Sequence, residues 1–232
     1  MEIHKADARG TGEYGWLATR YSFSFANWFA PSRMGFGALR VLNDDRIAPG
    51  AGFPPHSHKD MEIITIVTEG AVAHTDSTGG AGVVRAGEVQ VMSAGSGVVH
   101  SEYNASDTDP LTLFQIWIET AQQGIAPRYA QKTFSKKETA TVLVTPIAFE
   151  GEALGIHQDA YITRVQLAEG ETYTYTLHDA LHGAYVFVIS GELSVAGSLL
   201  NEKDALAISD MQDIPLVGDT MATALVIEVP LS

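Results

Sequence analysis

Short runs of β-forming residues fill the chain, and they constrain its fold more than any other feature of the sequence. Most of the clear runs are rich in Val, Ile, Thr and aromatic residues and are bounded by Gly, Pro, Asn or Asp. No long segment has the apolar spacing of an amphipathic helix. Many short strands joined by turns predict an all-β sandwich or barrel. The predicted strands are Phe36–Leu42, Glu62–Thr68, Val89–Met92, Leu111–Ile118, Ala140–Val144, Ala160–Leu167, Ala184–Ile189 and Ala222–Val229.

A faint internal repeat indicates two copies of one β-domain. Val67–Val72 resembles Val188–Leu193, and Gly87–Ser93 resembles Lys203–Ser209. Each copy contains a strand, a Gly turn, a second strand, a loop, an acidic turn and a further strand. The chain has 232 residues, 45% of them hydrophobic, which suffices for the core of one or two domains.

The division between the copies is expected near the middle of the chain. Gly124–Tyr129 contains a proline and is expected to form a turn leading out of the first domain, and Ser135–Glu138 is a polar connector. The first domain is therefore expected to comprise residues 1–125, and the second residues 126–232.

Composition excludes several classes of function. The chain has no cysteine, which rules out disulfides, zinc–thiolate sites, iron–sulfur clusters and thiol nucleophiles. Its net charge of -14 repels phosphate backbones, so direct binding to nucleic acid is not expected. The first residues lack the apolar run of a secretory signal, and no stretch approaches the ~20 apolar residues of a membrane helix. A cytoplasmic protein without membrane contact is the expectation.

Two polar pairs carry the candidate chemistry. His56 and His58 form the first pair, and His100 and Glu102 form the second, and the two members of each pair are two positions apart. Residues i and i+2 of a strand share one face and lie roughly 6.5 Å apart along the backbone. Two such pairs on neighbouring strands would bring three imidazoles and one carboxylate to one divalent transition metal. Open coordination positions would remain for catalysis.

The segments around these pairs resemble the two signature motifs of the cupin superfamily. The first pair lies in Gly52–Glu62, which is followed by a strand and Gly70. The second pair lies in Gly87–Asn104, where a Gly-rich turn precedes the histidine. The glycines would supply the tight turns of the fold. An isolated pair of histidines is a weak signal, whereas the ordered pair of motifs is specific.

Further segments resemble the pirin family, and the match is closer in the first half of the chain than in the second. The resemblance implies an all-β bicupin with two jelly-roll domains facing each other and one metal site, in the N-terminal domain. It is strongest to bacterial pirin-like proteins with quercetin 2,3-dioxygenase activity. The segments that carry it are Tyr21–Phe29, Gly35–Asp45, Met92–Gly97 and Phe114–Ile118.

The family resemblance also implies a ligand set. His56, His58, His100 and Glu102 would hold one divalent metal, normally iron(II), with Ni, Co, Cu, Mn and Zn as alternatives. In many other cupins the carboxylate ligand is the Glu of the first motif, which here is Glu62. Glu62 is therefore a rival ligand, or a residue that orients a metal-bound histidine. Either glutamate is a candidate general base.

Structural roles are expected for the other histidines and for the large aromatic residues. His74 is close to the site in sequence, and it is expected on the strand beyond it. No histidine follows His182, so the second copy is expected to lack a metal site. Structural or exposed positions are expected for His4, His157, His178 and His182, and core or pocket-wall positions for Trp28, Trp117, Phe53 and Phe114.

The resemblance implies a metal-dependent dioxygenase similar to quercetinase, with a flavonol and O2 as substrates. The family's reaction opens the central flavonol ring and releases carbon monoxide and a phenolic ester. The metal would lower the pKa of the flavonol 3-hydroxyl, and a carboxylate would accept its proton. The alternative is a metal-binding redox sensor that regulates through a protein partner. A cupin isomerase or epimerase acting on sugars is a third, less favoured hypothesis.

Overall fold

The computed structural model describes residues 1–135, 138–149 and 151–232, and these residues form an almost entirely β-structure. Their only helical segment is a 3-10 turn at Ala6–Ala8, and no helix in these ranges is long and apolar enough to span a membrane. The strands are β1 (Glu2–His4), β2 (Gly10–Glu13), β3 (Leu17–Tyr21), β4 (Leu39–Ile47), β5 (Gly52–His58), β6 (Met61–Glu69), β7 (Ala71–Asp76), β8 (Ala81–Arg85), β9 (Glu88–Ser93), β10 (Val98–Asn104), β11 (Leu111–Glu119), β12 (Arg128–Thr133), β13 (Ala140–Pro146), β14 (Leu154–Ile156), β15 (Tyr161–Leu167), β16 (Thr172–Thr176), β17 (His182–Ser190), β18 (Leu193–Val195), β19 (Ser198–Leu200), β20 (Ala205–Ile208), β21 (Asp213–Gly218) and β22 (Ala222–Pro230).

The strands form four sheets whose order repeats between the two halves of the chain. The N-terminal half contains a seven-stranded sheet, β12-β9-β6-β11-β4-β3-β2, and a four-stranded sheet, β5-β10-β7-β8. The C-terminal half contains β1-β20-β17-β22-β15-β13-β14 and β16-β21-β18-β19. Each strand thus has a counterpart in the other half, although β2 pairs antiparallel to β3 and β14 pairs parallel to β13. The predicted all-β bicupin is confirmed.

Equivalent glycine turns explain part of the sequence repeat. Gly70 joins β6 to β7 with a φ of 75°, and Gly191 joins β17 to β18 with a φ of 80°. A Cβ atom would lie 2.8 Å from the carbonyl oxygen of Pro110 at the first turn, and 2.3 Å from that of Met221 at the second. Both positions combine a left-handed backbone with a close approach, so both need glycine.

The large sheets of the two halves pack face to face. Alternate residues of a strand point to opposite faces. On β6, Ile64 and Ile66 therefore enter a shared apolar core between the halves, where they join residues such as Phe187 and Leu225. Ile63 and Thr65, which alternate with them along the strand, point into the interior of the N-terminal half instead. The two-domain arrangement is thus held together by one apolar interface.

The two halves also exchange edge strands. β12 pairs with β9 of the N-terminal half, and β1 pairs with β20 of the C-terminal half. The division at residue 125 stays a proposal, and the turn that contains it leads directly into β12. In the expected polar connector, Lys136 and Lys137 lie outside the described residues.

Every predicted strand overlaps an observed one, and the largest shift is at β4. The prediction covered Phe36–Leu42, whereas β4 begins at Leu39 and continues to Ile47 through Asn43, Asp44 and Asp45. Asn and Asp are uncommon in strands, so the sequence pattern suggested an end too early. Pairing with β3 on one side and β11 on the other holds this polar stretch extended.

Candidate metal centre

Strands β5 and β10 bring the two polar pairs together. His100 lies opposite His56, and Glu102 lies opposite Phe53, so the register shifts by one residue between the two pairings. Such a bulge re-aims side chains and is common beside functional sites. The extra residue belongs to β5, within the stretch Pro54–Pro55. β5 is the edge strand of its sheet, where the missing N–H groups of proline are tolerated.

The three histidines predicted as ligands form one cluster. Their ring centroids are 4.8 Å apart for His56 and His58, 4.4 Å for His56 and His100, and 4.9 Å for His58 and His100. One ring nitrogen from each lies within 4.8 Å of the others. This spacing allows all three imidazoles to reach one ion.

Metal-binding imidazoles must be neutral, and the surroundings of His58 and His100 favour that form. Burial, with a smaller contribution from His56, lowers the pKa of His58 to about 4. Burial and the neighbouring histidines lower the pKa of His100 to about 3. The Nδ1 atom of His56 lies 2.8 Å from the carbonyl oxygen of Pro54. A carbonyl only accepts, so Nδ1 of His56 carries the proton and Nε2 keeps its lone pair.

Glu102 is buried beside His100. The structure places its carboxylate in a second candidate group, with His100 and His74, and His100 belongs to both groups. Gln115 Nε2 donates to Glu102 Oε2 at 2.9 Å, and Thr65 Oγ1 lies 3.3 Å from Oε1. Burial raises the pKa of Glu102 to about 7, against the effect of these hydrogen bonds. Glu102 as a ligand stays a prediction that this position allows.

A cavity of about 310 Å³ opens onto the cluster. Phe25, Phe53 and Trp117 form its aromatic wall, and Asn43 and Asp45 of β4 contribute a polar one. Burial, with the nearby charge of Asp44, raises the pKa of Asp45 to about 7, although the neighbouring Thr19 hydroxyl opposes the shift. Phe53 and Trp117 thus lie in a pocket wall, whereas Phe114 lies in the core. The polar wall could not be anticipated, because the sequence pattern ended β4 before it.

Glu62 is not brought to the cavity. Its neighbour Ile63 lines the cavity, so the alternation along β6 turns Glu62 toward the other half of the protein. There it is fully buried and accepts a hydrogen bond from Ser93 Oγ at 2.7 Å, with His157 Nδ1 3.9 Å from its other oxygen. This position gives Glu62 no support as a ligand, as an orienting residue or as the general base.

His74 lies closer to the site than its sequence position suggested. It was expected on a strand beyond the site, and β7 does lie on the far side of β10. Its buried ring, however, places Nδ1 3.5 Å from His100 Nδ1. The register of β10 and β7, which puts Glu102 opposite His74, could not be deduced from residue spacing. The other histidines make structural contacts: His4 with Tyr185, His157 with Ser93, and His178 and His182 with Glu228.

Fold and site together define a bicupin whose candidate metal ligands, within the described residues, all lie in the N-terminal half. Comparison with known families agrees with this class. A family model described as Pirin matches residues 3–118, and one described as Quercetinase C-terminal cupin domain matches residues 142–229. The chain belongs to the pirin family.

Relatives cover nearly the whole chain. A protein of Escherichia coli (strain K12) named quercetin 2,3-dioxygenase is 42% identical over 228 residues, which are 98% of each chain. A Pirin-like protein of Caulobacter vibrioides is 44% identical over 207 residues, which are 88% of each chain. The crystal structure of the bacterial pirin YhhW in complex with nickel(II), from Escherichia coli, has a TM-score of 0.94 and 41% identity, and covers 100% of this chain and 99% of its own.

Proposed function

We propose that the protein is a metal-dependent dioxygenase that opens the ring of a flavonol-like aromatic compound with O2. The observation that carries this proposal is the convergence of three imidazoles on a cavity with aromatic walls. The relative named quercetin 2,3-dioxygenase supports the reaction class, and nickel(II) in the related pirin structure supports a metal in the centre. Iron(II) remains the expected native metal, with Ni, Co, Cu, Mn and Zn as alternatives.

The donor set of the site fits such a metal. His56, His58, His100 and Glu102 are the proposed ligands. The buried Nε2 atom of His100 has no hydrogen-bond partner among the described residues, and the corresponding atom of His56 is left free by its bond to Pro54. A bound divalent ion would act as a Lewis acid and stabilise a deprotonated hydroxyl group of the substrate.

The protein's own residues would bind and orient the aromatic compound. Phe25, Phe53 and Trp117 supply flat apolar surface for its rings and exclude water from them. Glu102 is the proposed acceptor of the hydroxyl proton, because it is a carboxyl that lines the cavity beside the three histidines. Asn43 and Asp45 would accept hydrogen bonds from hydroxyl groups farther from the ligand cluster.

Turnover of quercetin tests the proposal directly. The protein would be purified without oxygen, its metal content measured, and the loss of quercetin absorbance followed for wild type, His56→Ala and His157→Ala. His157 serves as the control because it lies outside the cavity. Turnover that needs the metal, disappears in His56→Ala and persists in His157→Ala is the expected result. A full complement of metal without turnover of any flavonol would contradict it, and would favour a redox-sensing protein that acts through a partner.

A further inference from the structure

The proposed reaction gives no role to His74 and Asp76, a buried pair directly behind His100. Both lie on β7, and their side chains are 0% and 1% exposed. Nε2 of His74 lies 3.0 Å from Oδ2 of Asp76. On its other side, Nδ1 of His74 lies 3.5 Å from Nδ1 of His100. The three side chains therefore form a continuous chain that ends at a proposed ligand.

Asp76 is anchored as a carboxylate. Its Oδ1 atom accepts hydrogen bonds from the backbone N–H of Thr78 at 2.8 Å, the hydroxyl of Thr78 at 2.6 Å and the backbone N–H of Gly80 at 3.0 Å. An ionised carboxylate only accepts, so the remaining contact, to His74 Nε2, requires that His74 donate. The proton of the neutral His74 ring is therefore on Nε2.

The contacts of His74 Nδ1 agree with this assignment. With the proton on Nε2, Nδ1 is an acceptor. The side-chain amide nitrogen of Gln90, which only donates, lies 3.5 Å from it. The ring of Tyr129 stacks on His74 at 4.7 Å between centroids and fixes its plane. For His100 to contact the same acceptor, its Nδ1 must carry the proton.

We propose that Asp76 and His74 are positioning residues that set the tautomer of His100, so that its buried Nε2 presents a lone pair to the metal. Asp76 accepts from His74, and His74 accepts from His100. Outer groups of this kind commonly orient metal-bound histidines, although the partner is usually a carboxylate or a carbonyl rather than a second imidazole. The inference rests on the metal centre of the proposed function, but not on the identity of the substrate.

Four variants separate the parts of this chain. In Asp76→Asn, the amide can donate to His74 Nε2, which would move the proton of His74 to Nδ1 and force His100 to carry its own proton on Nε2. The same exchange in a Ser-His-Asp triad leaves the geometry intact and gives the wrong tautomer. His74→Phe keeps a ring against Tyr129 without an acceptor, and His74→Asn restores an acceptor near the position of Nδ1. Thr78→Ala is the matched control, because it loosens Oδ1 of Asp76 and leaves Oδ2 untouched.

The first measurement is the tautomer of His100 in the metal-free protein, from ¹⁵N chemical shifts of labelled histidine at about pH 8, where imidazoles are neutral. His100→Gln identifies the signal. Protonation at Nδ1 is expected in the wild type and in Thr78→Ala, and at Nε2 in Asp76→Asn. Protonation at Nε2 in the wild type would overturn the proposal, whether or not any variant folds.

The second measurement is the affinity for Ni²⁺ by equilibrium dialysis, with folding checked by circular dichroism. Asp76→Asn and His74→Phe are expected to bind about 10–100-fold more weakly, His74→Asn to recover part of the loss, and Thr78→Ala to stay within about twofold of wild type. Equal affinity in all variants would overturn the proposal. Failure of the dioxygenase proposal would instead appear as tight Ni²⁺ binding and the expected tautomer, without turnover of flavonols.

Discussion

The two halves of the protein share one order of strands but differ in what fills them. In the C-terminal half, a single apolar cluster that includes Val186, Leu206 and Leu216 occupies the space between the two sheets. In the N-terminal half, the apolar residues facing the interior form two smaller clusters, and the cavity contains polar residues such as Gln115 and Glu102. The same fold therefore accommodates a packed core or a site, and the side chains alone decide which.

Buried carboxylates show the difference most clearly. Glu228 in the C-terminal half accepts hydrogen bonds from the Tyr175 hydroxyl and from the backbone N–H of His178. The side chains of His178 and His182 contact it as well, each at 2.8 Å. By contrast, Oδ1 of Asp45 in the N-terminal half has no partner among the described residues. A carboxylate whose acceptors are all used supports the fold, whereas one that faces a cavity with an acceptor free can bind a ligand.

Removal of a proposed metal ligand should give the largest effect. It tests whether the metal binds in the N-terminal half. His58→Ala is expected to weaken Ni²⁺ binding by more than about 1,000-fold, because loss of an outer-shell partner alone costs 10–100-fold. Thr174→Ala, on β16, the counterpart of β5, is the control and should bind as wild type does. Equilibrium dialysis measures both. Equal losses in the two variants would contradict the placement of the site.

Truncation of the apolar core in the second half should cost stability and spare the site. Leu216 is fully buried on β21, the counterpart of β10. Leu216→Ala is expected to lower the free energy of unfolding by about 2–5 kcal/mol, since it removes buried apolar surface and leaves a cavity. Urea denaturation measures this loss. Below the denaturation midpoint, Ni²⁺ affinity should remain at the wild-type value, and a parallel fall in affinity would mean that the halves do not act separately.

Asp45 should make the metal-free protein less stable at higher pH. Its pKa is raised from 3.8 to about 7, so the folded state binds a proton more tightly than the unfolded state does. The contribution of Asp45 to the free energy of unfolding is therefore highest below pH 4, and it falls by roughly 4 kcal/mol as pH rises toward 7. Asp45→Asn should remove this slope between pH 4 and pH 7 in urea denaturation. An unchanged slope would show that Asp45 does not titrate in this range.

The smallest effect is expected at an exposed ion pair that links the halves. Lys132 Nζ on β12 lies 3.3 Å from a carboxylate oxygen of Glu152, whose side chain is 97% exposed. Glu152→Gln should change the free energy of unfolding by less than about 0.5 kcal/mol, because solvent screens such pairs. A loss as large as that of Leu216→Ala would show that the halves depend on this pair rather than on their shared apolar core.

Much of the fold could be predicted because its signals are local. The glycines that need left-handed turns, the short apolar runs and the two histidine motifs each lie in one stretch of sequence. The pairs His56–His58 and His100–Glu102 could be proposed as neighbours because a two-residue spacing fixes their shared face. The repeat could be noticed because turns such as those at Gly70 and Gly191 impose the same residue in both halves.

What could not be predicted depends on register and on the choice between two faces. Glu62 and Ile63 are adjacent, and only the packing of the two halves decides which of them faces the cavity. His74 lies behind His100 because β7 pairs with β10 in one particular register. Asp45 was hidden by the low strand propensity of its own neighbourhood, which tertiary pairing overrides.

The exchange of edge strands has a consequence for the order of assembly during synthesis. β1 pairs with β20, which lies about two hundred residues later in the chain, a separation far longer than any local contact spans. β1 is therefore synthesised well before β20 and stays unpaired until β20 has been made. If residues 1–125 were expressed alone, β1 would have no β20 and β9 would have no β12. Both unpaired strand edges would then be open to association with other chains.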